Sequence, residues 1–188
     1  VTIDPNNSSV IWVGSGENNN QRSVAYGDGV YKSMDAGKSW SNMGLKNSEH
    51  IGKIIVHPKN SNIIYVAAVG PLWSKGGDRG LYKSEDGGKT WNNLLSIDEH
   101  TGVTDIIMDP RNPEVLYAST VQRRRHVYTY VGGGPGSGLY KTTNGGFSFK
   151  NTQAQSGPKT ASVNIIIPTI ADGVLRAPIV ININPKPI

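Results

Sequence analysis

The sequence predicts an all-β fold assembled from one duplicated unit, and three observations carry that expectation. The stretch Ser33-Met34-Asp35-Ala36-Gly37-Lys38-Ser39-Trp40 returns as Ser84-Glu85-Asp86-Gly87-Gly88-Lys89-Thr90-Trp91 and, eroded, as Thr142-Thr143-Asn144-Gly145-Gly146-Phe147-Ser148-Phe149, at intervals of 51 and 58 residues. Two more landmarks keep the same beat: Asp4-Pro5, His57-Pro58 and Asp109-Pro110, then Gly29-Val30-Tyr31-Lys32, Gly80-Leu81-Tyr82-Lys83 and Gly138-Leu139-Tyr140-Lys141. Between the landmarks lie short Ile-, Val-, Tyr- and Trp-rich runs punctuated by 23 Gly and 11 Pro, with no segment of helical period.

The second unit reads most clearly, as strands over 52–57, 62–68, 79–84 and 90–95. The first supplies 10–15, 28–33 and 39–43 after the end of a strand in 1–4, and the third supplies 102–109, 114–121, 138–142 and 147–151. Each unit is therefore a four-stranded antiparallel meander, with boundaries near 1–50, 51–101 and 102–151. Repeated meanders of this length are the blades of a β-propeller. In the eight-residue stretch, Ser33, Ser84 and Thr142, together with Asp35, Asp86 and Asn144, suit a turn that accepts backbone N–H bonds. Gly37, Gly88 and Gly146 supply positive φ, while Trp40, Trp91 and Phe149 cover the hairpin. One or two carboxylates per turn fall short of a calcium loop.

A meander sends its tight turns to one end and its other connections to the opposite end. The second-to-third-strand connections, 16–27, 69–78 and 122–137, and the crossings between units, 44–51 and 96–101, thus share a face. They carry Glu, Asp, Arg, His and Asn, so this is the expected binding face.

Composition bounds the rest. The 188 residues are 36% hydrophobic, enough for a core, and no apolar run approaches the roughly 20 residues of a membrane span. No cysteine is present, which removes disulfides and thiolate chemistry. The net charge of +5 concentrates at Arg123-Arg124-Arg125, beside His126, Tyr128 and Tyr130. Basic residues interleaved with aromatics can hold nucleic acid, but Asp98, Glu99 and Asp105 lie nearby and no nucleic-acid fold signature appears, so no such partner is expected. His50 and His100 lack a zinc spacing motif, and no phosphate or dinucleotide fingerprint occurs, so neither metal nor cofactor is expected.

In these same residues the chain resembles the Asp-box, or BNR-repeat, propellers: sialidases, xyloglucanase-type glycoside hydrolases and sortilin-type domains. The likeness is to bacterial secreted proteins of the sortilin-type or glycosyl hydrolase-like kind, and it covers residues 1 to about 151. It runs through Gly14-Ser15-Gly16-Glu17, Gly27-Asp28-Gly29, His50-Ile51-Gly52, Asp98 with Thr101-Gly102, Gln122-Arg123-Arg124-Arg125 and Gly133-Gly134-Pro135-Gly136-Ser137-Gly138. It implies a fold more firmly than a reaction, and a secreted or surface location. Such propellers have six to eight blades by the same resemblance, so three imply the rest of a larger propeller or other copies of the chain.

Two readings of the loop face stay open. As a binding face for a carbohydrate or protein ligand, it offers Asn20, Arg22, His50, Glu99, Gln122, Arg123, Arg124 and Arg125. As a glycosidase it requires two carboxyls roughly 5–9.5 Å apart, for which Glu17, Asp28 and Asp98 are the candidates, with Asp105 also counted on this face. Against both stands a plain alternative, in which these acids pair with Arg22, Arg79 and the arginine triplet. A sialidase would need arginines gathered from separate blades, whereas consecutive loop arginines splay apart. The tail, 152–188, has no Asp box; its Ile- and Val-rich runs 163–170 and 174–183, split by Ala171-Asp172-Gly173, read as a hairpin, with Pro168 and Pro178 at edge positions. That hairpin is either a degenerate blade or a strand donor that leaves the architecture structural, with blades and tail pairing between chains.

Overall fold

A computed structural model describes residues 1–152 and, beyond them, the backbone of four short strands. The chain divides into two units, Val1–Thr152 and Gln153–Ile188.

The first unit holds three antiparallel sheets in sequence order. Blade 1 is β1 (Thr2–Asp4), β2 (Asn7–Gly14), β3 (Val30–Ser33) and β4 (Ser41–Asn42); blade 2 is β5 (Ile51–His57), β6 (Asn60–Ala68), β7 (Gly80–Ser84) and β8 (Asn92–Leu95). Blade 3 is β9 (Thr101–Asp109), β10 (Asn112–Arg125), β12 (Gly138–Thr142) and β13 (Lys150–Asn151), with an added strand β11 (Tyr130–Gly132). The blades are propeller meanders, as the repeat implies.

One expectation is corrected here. Residues 122–125 do not belong to a loop: β10 continues through Arg125 and pairs with β11, matching Arg123 to Gly132 and Arg125 to Tyr130. The long third connection therefore folds back as a second hairpin rising from the blade. Val121, Val127 and Val131 around it supply the β-branched character that extends the strand.

Period-two alternation decides the packing. In β6, Ile64, Val66 and Ala68 join Val10, Trp12 and Val30 of blade 1 in one core, whereas Tyr65 and Ala67 join Val103, Ile106, Leu116 and Ala118 of blade 3 in another. Both faces of blade 2 are thus buried, and its central strand reads as continuous apolar sequence. The inner strands approach so closely that a Cβ on Gly52 would stand 2.2 Å from the Thr104 carbonyl oxygen.

The Asp boxes clamp the turns as expected and also join the blades. In blade 2, Ser84 Oγ accepts from Gly88 N at 2.8 Å and donates to Asp86 Oδ1 at 2.8 Å, while Asp86 accepts from Thr90 N at 2.9 Å and Thr90 Oγ1 at 2.6 Å. Blade 1 repeats this through Ser33, Asp35, Gly37 and Ser39. Blade 3 does so with Thr142, Asn144, Gly146 and Ser148. The glycine at the fifth position, Gly37, Gly88 or Gly146, keeps φ near +91°, +93° and +94° in the three boxes, where a side chain would be strained.

Trp91 reaches beyond its own hairpin. Its Nε1 donates to the Met43 carbonyl of blade 1 at 2.7 Å, whereas Trp40 Nε1 donates only to Gly37 of its own turn. In the other direction, Tyr65 OH donates to the Gly145 carbonyl in blade 3's box, and Lys32 Nζ to the Gly87 carbonyl in blade 2's box. The motif lysine lies over the cross-strand aromatic in every blade: Lys32 on Trp12, Lys83 on Tyr65 and Lys141 on Tyr117. Ile3 and Trp40 of blade 1 and Ile107 of blade 3 are exposed.

In the second unit, β14 (Val163–Ile167) pairs antiparallel with β17 (Ile179–Ile183), and β15 (Ile170–Ala171) with β16 (Val174–Leu175). Nested pairs of this kind are the expected hairpin. Pro168, Asp172, Gly173 and Pro178 lie outside the described residues.

Candidate functional site

The two ends of the blades separate as the meander requires. At one end, each Asp-box turn bonds to its own strand 1–2 corner: Ala36 N to Ser9 O, Gly87 N to Asn62 O and Gly145 N to Glu114 O. At the other, the five longer connections are stitched together. Gly27 N donates to Glu49 O, Asp78 N to Asn47 O, Gly76 N to Glu99 O, Arg123 N to His100 O and Arg125 N to Leu72 O.

Two buried arginines hold this face rigid. Arg79 gives its guanidinium entirely to carbonyls: Nε to Gly76 at 2.8 Å, Nη1 to Val69 at 3.0 Å and His100 at 3.5 Å, and Nη2 to Ser74 at 2.8 Å and Pro71. Burial, with help from Arg123 and Arg124, lowers its pKa to about 10, so it stays charged at neutral pH. Arg123, only 2% exposed, ties three blades by donating to Asn20 Oδ1 at 2.8 Å, Asn19 O at 3.4 Å and Gly70 O at 3.0 Å. Arg22 reaches across to the Val127 carbonyl.

Ion pairing therefore does not account for the arginines. Among the described residues, the ion pairs are Lys53–Asp105, Lys75–Glu99, Lys83–Glu85, His100–Glu99 and Arg111–Asp109. None includes Arg22, Arg79 or the triplet: backbone carbonyls occupy Arg22 and Arg79, and carbonyls with the Asn20 side chain occupy Arg123. Asp105 is corrected from the loop face to the middle of β9.

The candidate carboxylates each serve a local turn. Glu17 Oε2 accepts from Ala25 N at 3.1 Å and Asn19 Nδ2 at 3.2 Å. Asp28 accepts from Tyr31 OH at 2.6 Å. Burial works against the Asp98 charge, but the His100 and Thr101 donors outweigh it and hold the carboxyl below its ordinary range. His50 lies wholly buried below the loops, with Tyr26 against its edge; burial first, then Arg123, lowers its pKa, and the Glu17 backbone opposes them.

Sequence reasoning missed Glu49. Burial raises its carboxyl, with Arg79 and Arg123 opposing. Its backbone is left-handed at φ +63°, and its carbonyl presses so closely on Gly16 that a Cβ there would stand 2.0 Å away. Its place beside the buried His50, on the crossing between blades, was the available signal.

Two cavities open on this face. One, about 400 Å³, is bordered by Lys75, His100, Gln122, Arg123, Arg124 and His126; the other, about 490 Å³, by Glu49, Lys46, Asn47, Ser74 and Lys75. The structure thus gathers Gln122, Arg123 and Arg124 at one cavity, with Glu99 near it through Lys75 and His100. Arg125 lies over Tyr130 at 5.4 Å. Among the described residues, no group of three or more His, Asp or Glu side chains gathers as a metal site, and no helix is long and apolar enough to cross a membrane.

Fold and face together define a segment of an Asp-box β-propeller. Residues 28–157 match the Sortilin-Vps10 family model, described as sortilin, neurotensin receptor 3, and the chain belongs to that family. An oligoxyloglucan-reducing end-specific xyloglucanase of Emericella nidulans is 25% identical over 170 residues, which are 82% of this chain and 18% of that protein. Three solved structures share the fold. An ancestral GH74 enzyme superposes with a TM-score of 0.54 at 23% identity, covering 78% of this chain and 17% of that one. The Niastella koreensis GH74 enzyme gives 0.53 at 22%, covering 79% and 20%. The Xanthomonas campestris GH74 xyloglucanase gives 0.51 at 24%, covering 77% and 19%. The chain spans less than a fifth of the curated relative.

Proposed function

We propose that this chain is the part of a secreted or surface-associated Asp-box propeller that binds a carbohydrate through its long-loop face. The observation that carries the reading is the cross-blade lock made by Arg79 and Arg123, which fixes connections from three blades around preformed cavities. Such prepayment of loop order is what a binding surface needs, and similarity to a xyloglucan-acting protein favours a saccharide over a protein ligand. Calorimetry with a panel of neutral and acidic oligosaccharides tests it: binding to some member is expected, and silence across the panel refutes it. The exposed Ile3 and Trp40 of blade 1 and Ile107 of blade 3 suit packing against further blades.

Glu49 favours a second reading, as a glycoside hydrolase fragment. A carboxyl raised by burial is the usual condition of a general acid, and Glu17, Asp28 and Asp98 remain the candidates for the second carboxyl. Turnover of xyloglucan oligosaccharides that falls in both Glu49→Gln and Glu17→Gln supports this; turnover unaffected by either removes these residues from it.

A further inference from the structure

We propose that the basic cavity of blade 3 binds an oxyanion-bearing saccharide, holding a sugar carboxylate or sulfate between Arg124 and Lys75. This rests on the carbohydrate reading and names the class of sugar. The cavity's border carries Lys75, Arg123 and Arg124 and no carboxylate. Of the neighbouring acids, Glu99 pairs with the bordering Lys75 at 3.3 Å and His100 at 3.5 Å, Asp98 accepts from the His100 backbone N–H at 2.7 Å, and neither pairs with Arg124.

One donor group at this cavity is left unfilled: the Arg124 guanidinium has no hydrogen-bond or ion-pair partner among the described residues, and its Nε, like the Nε of Arg123 and Arg125, is buried without an acceptor. Arg79 shows the contrast, since every N–H of its guanidinium meets a carbonyl. Arg124 borders the opening, and a guanidinium left without a partner there points to an acceptor that arrives from outside. A carboxylate or sulfate supplies two or three acceptor oxygens and the opposite charge.

The rim suits a sugar rather than a bare ion. His126 borders the cavity and stacks on Tyr128, with ring centroids 5.9 Å apart and planes 17° off parallel. Tyr128 is 86% exposed, a flat apolar face open to a pyranose ring. Gln122 keeps its Oε1 on Gly136 N, which leaves its amide N–H groups for a ring hydroxyl. A volume of about 400 Å³ suits a ligand of one or two rings.

Calorimetry on the 188-residue chain tests this with short oligosaccharides of equal length: a galacturonate oligomer, a sulfated galactan oligomer, a neutral cello-oligomer and, beside them, an oligoglutamate. One of the two acidic sugars is expected to bind and the neutral one to bind far more weakly. Arg124→Ala is expected to weaken the acidic sugar about tenfold or more, as loss of a charge-assisted bond pair requires. Lys75 is largely exposed, so Lys75→Ala provides a variant with no folding penalty and is expected to weaken binding too. Arg111→Ala, at the opposite end, removes the same charge and is expected to change nothing. Binding of the neutral sugar alone overturns the inference and spares the carbohydrate reading; binding of no sugar overturns both. Equal losses in Arg111→Ala and Arg124→Ala reduce the effect to net charge, and oligoglutamate binding as tightly as the sugars removes the saccharide assignment.

Discussion

Replacing Ser84 with alanine tests whether the Asp box acts as a clamp on buried backbone. Ser84 is fully buried, and its Oγ accepts from Gly88 N at 2.8 Å and Asp86 N at 3.3 Å while donating to Asp86 Oδ1 at 2.8 Å. Ser84→Ala leaves the Gly88 N–H buried without an acceptor, and a stranded donor of that kind costs about 1–3 kcal/mol. Gly88 also lies against Trp12, so the turn has little freedom to swing its N–H towards water. Set against a domain stability of about 5–15 kcal/mol, the loss is a large fraction. Urea unfolding followed by tryptophan fluorescence reads it as a lowered midpoint at unchanged slope. Ser84→Thr is expected to restore the midpoint, because Thr142 already does this work in blade 3. A Ser84→Ala midpoint no lower than that of Ser39→Ala, which loses only an exposed bond to Asp35, would refute the clamp.

Acid should loosen the blades through Asp35 and Asp86. Hydrogen bonds from Ser39 and Thr90 respectively, before all other causes, depress both carboxyls, Asp35 to about 2 and Asp86 further. A depressed folded-state pKa gives stability present above the ordinary value of about 3.9 and lost as pH falls through the folded value, so the melting temperature should drop between about pH 5 and pH 2. The double variant Asp35→Asn, Asp86→Asn should show a shallower drop, since Asn144 makes the same backbone contacts without titrating; an unchanged drop counts against the assignment. Trp91→Phe should cost about 1 kcal/mol by urea unfolding, the bond to Met43 being lost while the packing persists as at Phe149. Gly52→Ala should cost about 1–3 kcal/mol or more, because the Thr104 carbonyl cannot yield to a Cβ. Arg79→Met should free five carbonyls and speed hydrogen exchange across 70–78, and unchanged exchange there would show that the lock is not needed.

Much of the fold is legible because its rules are local. The box Ser-x-Asp-x-Gly closes on itself within five residues, and strand alternation reports which side chains leave which face, so the repeat and its antiparallel meanders can be read without coordinates. The loop face is legible as a face for the same reason, since a meander alternates its turns. The identities of the partners on it are not. Arg79 and Arg123 read as ion-pair donors, yet they bond carbonyls 3 to 104 positions away, and no local pattern encodes which carbonyl three blades will bring to one point. Glu49 was passed over because its raised carboxyl comes from burial by neighbouring blades.

Sequence alone determined the copies, their strands and the two ends, since these follow from backbone chemistry within each unit. Tertiary structure alone decided that the third connection rises as a strand pair, that Trp91 and Tyr65 fasten one blade to the next, and that Arg124 is left with open donors where Arg79 has none. Desolvation and hydrogen-bond completion are properties of what surrounds a group, and those surroundings exist only after the blades have packed.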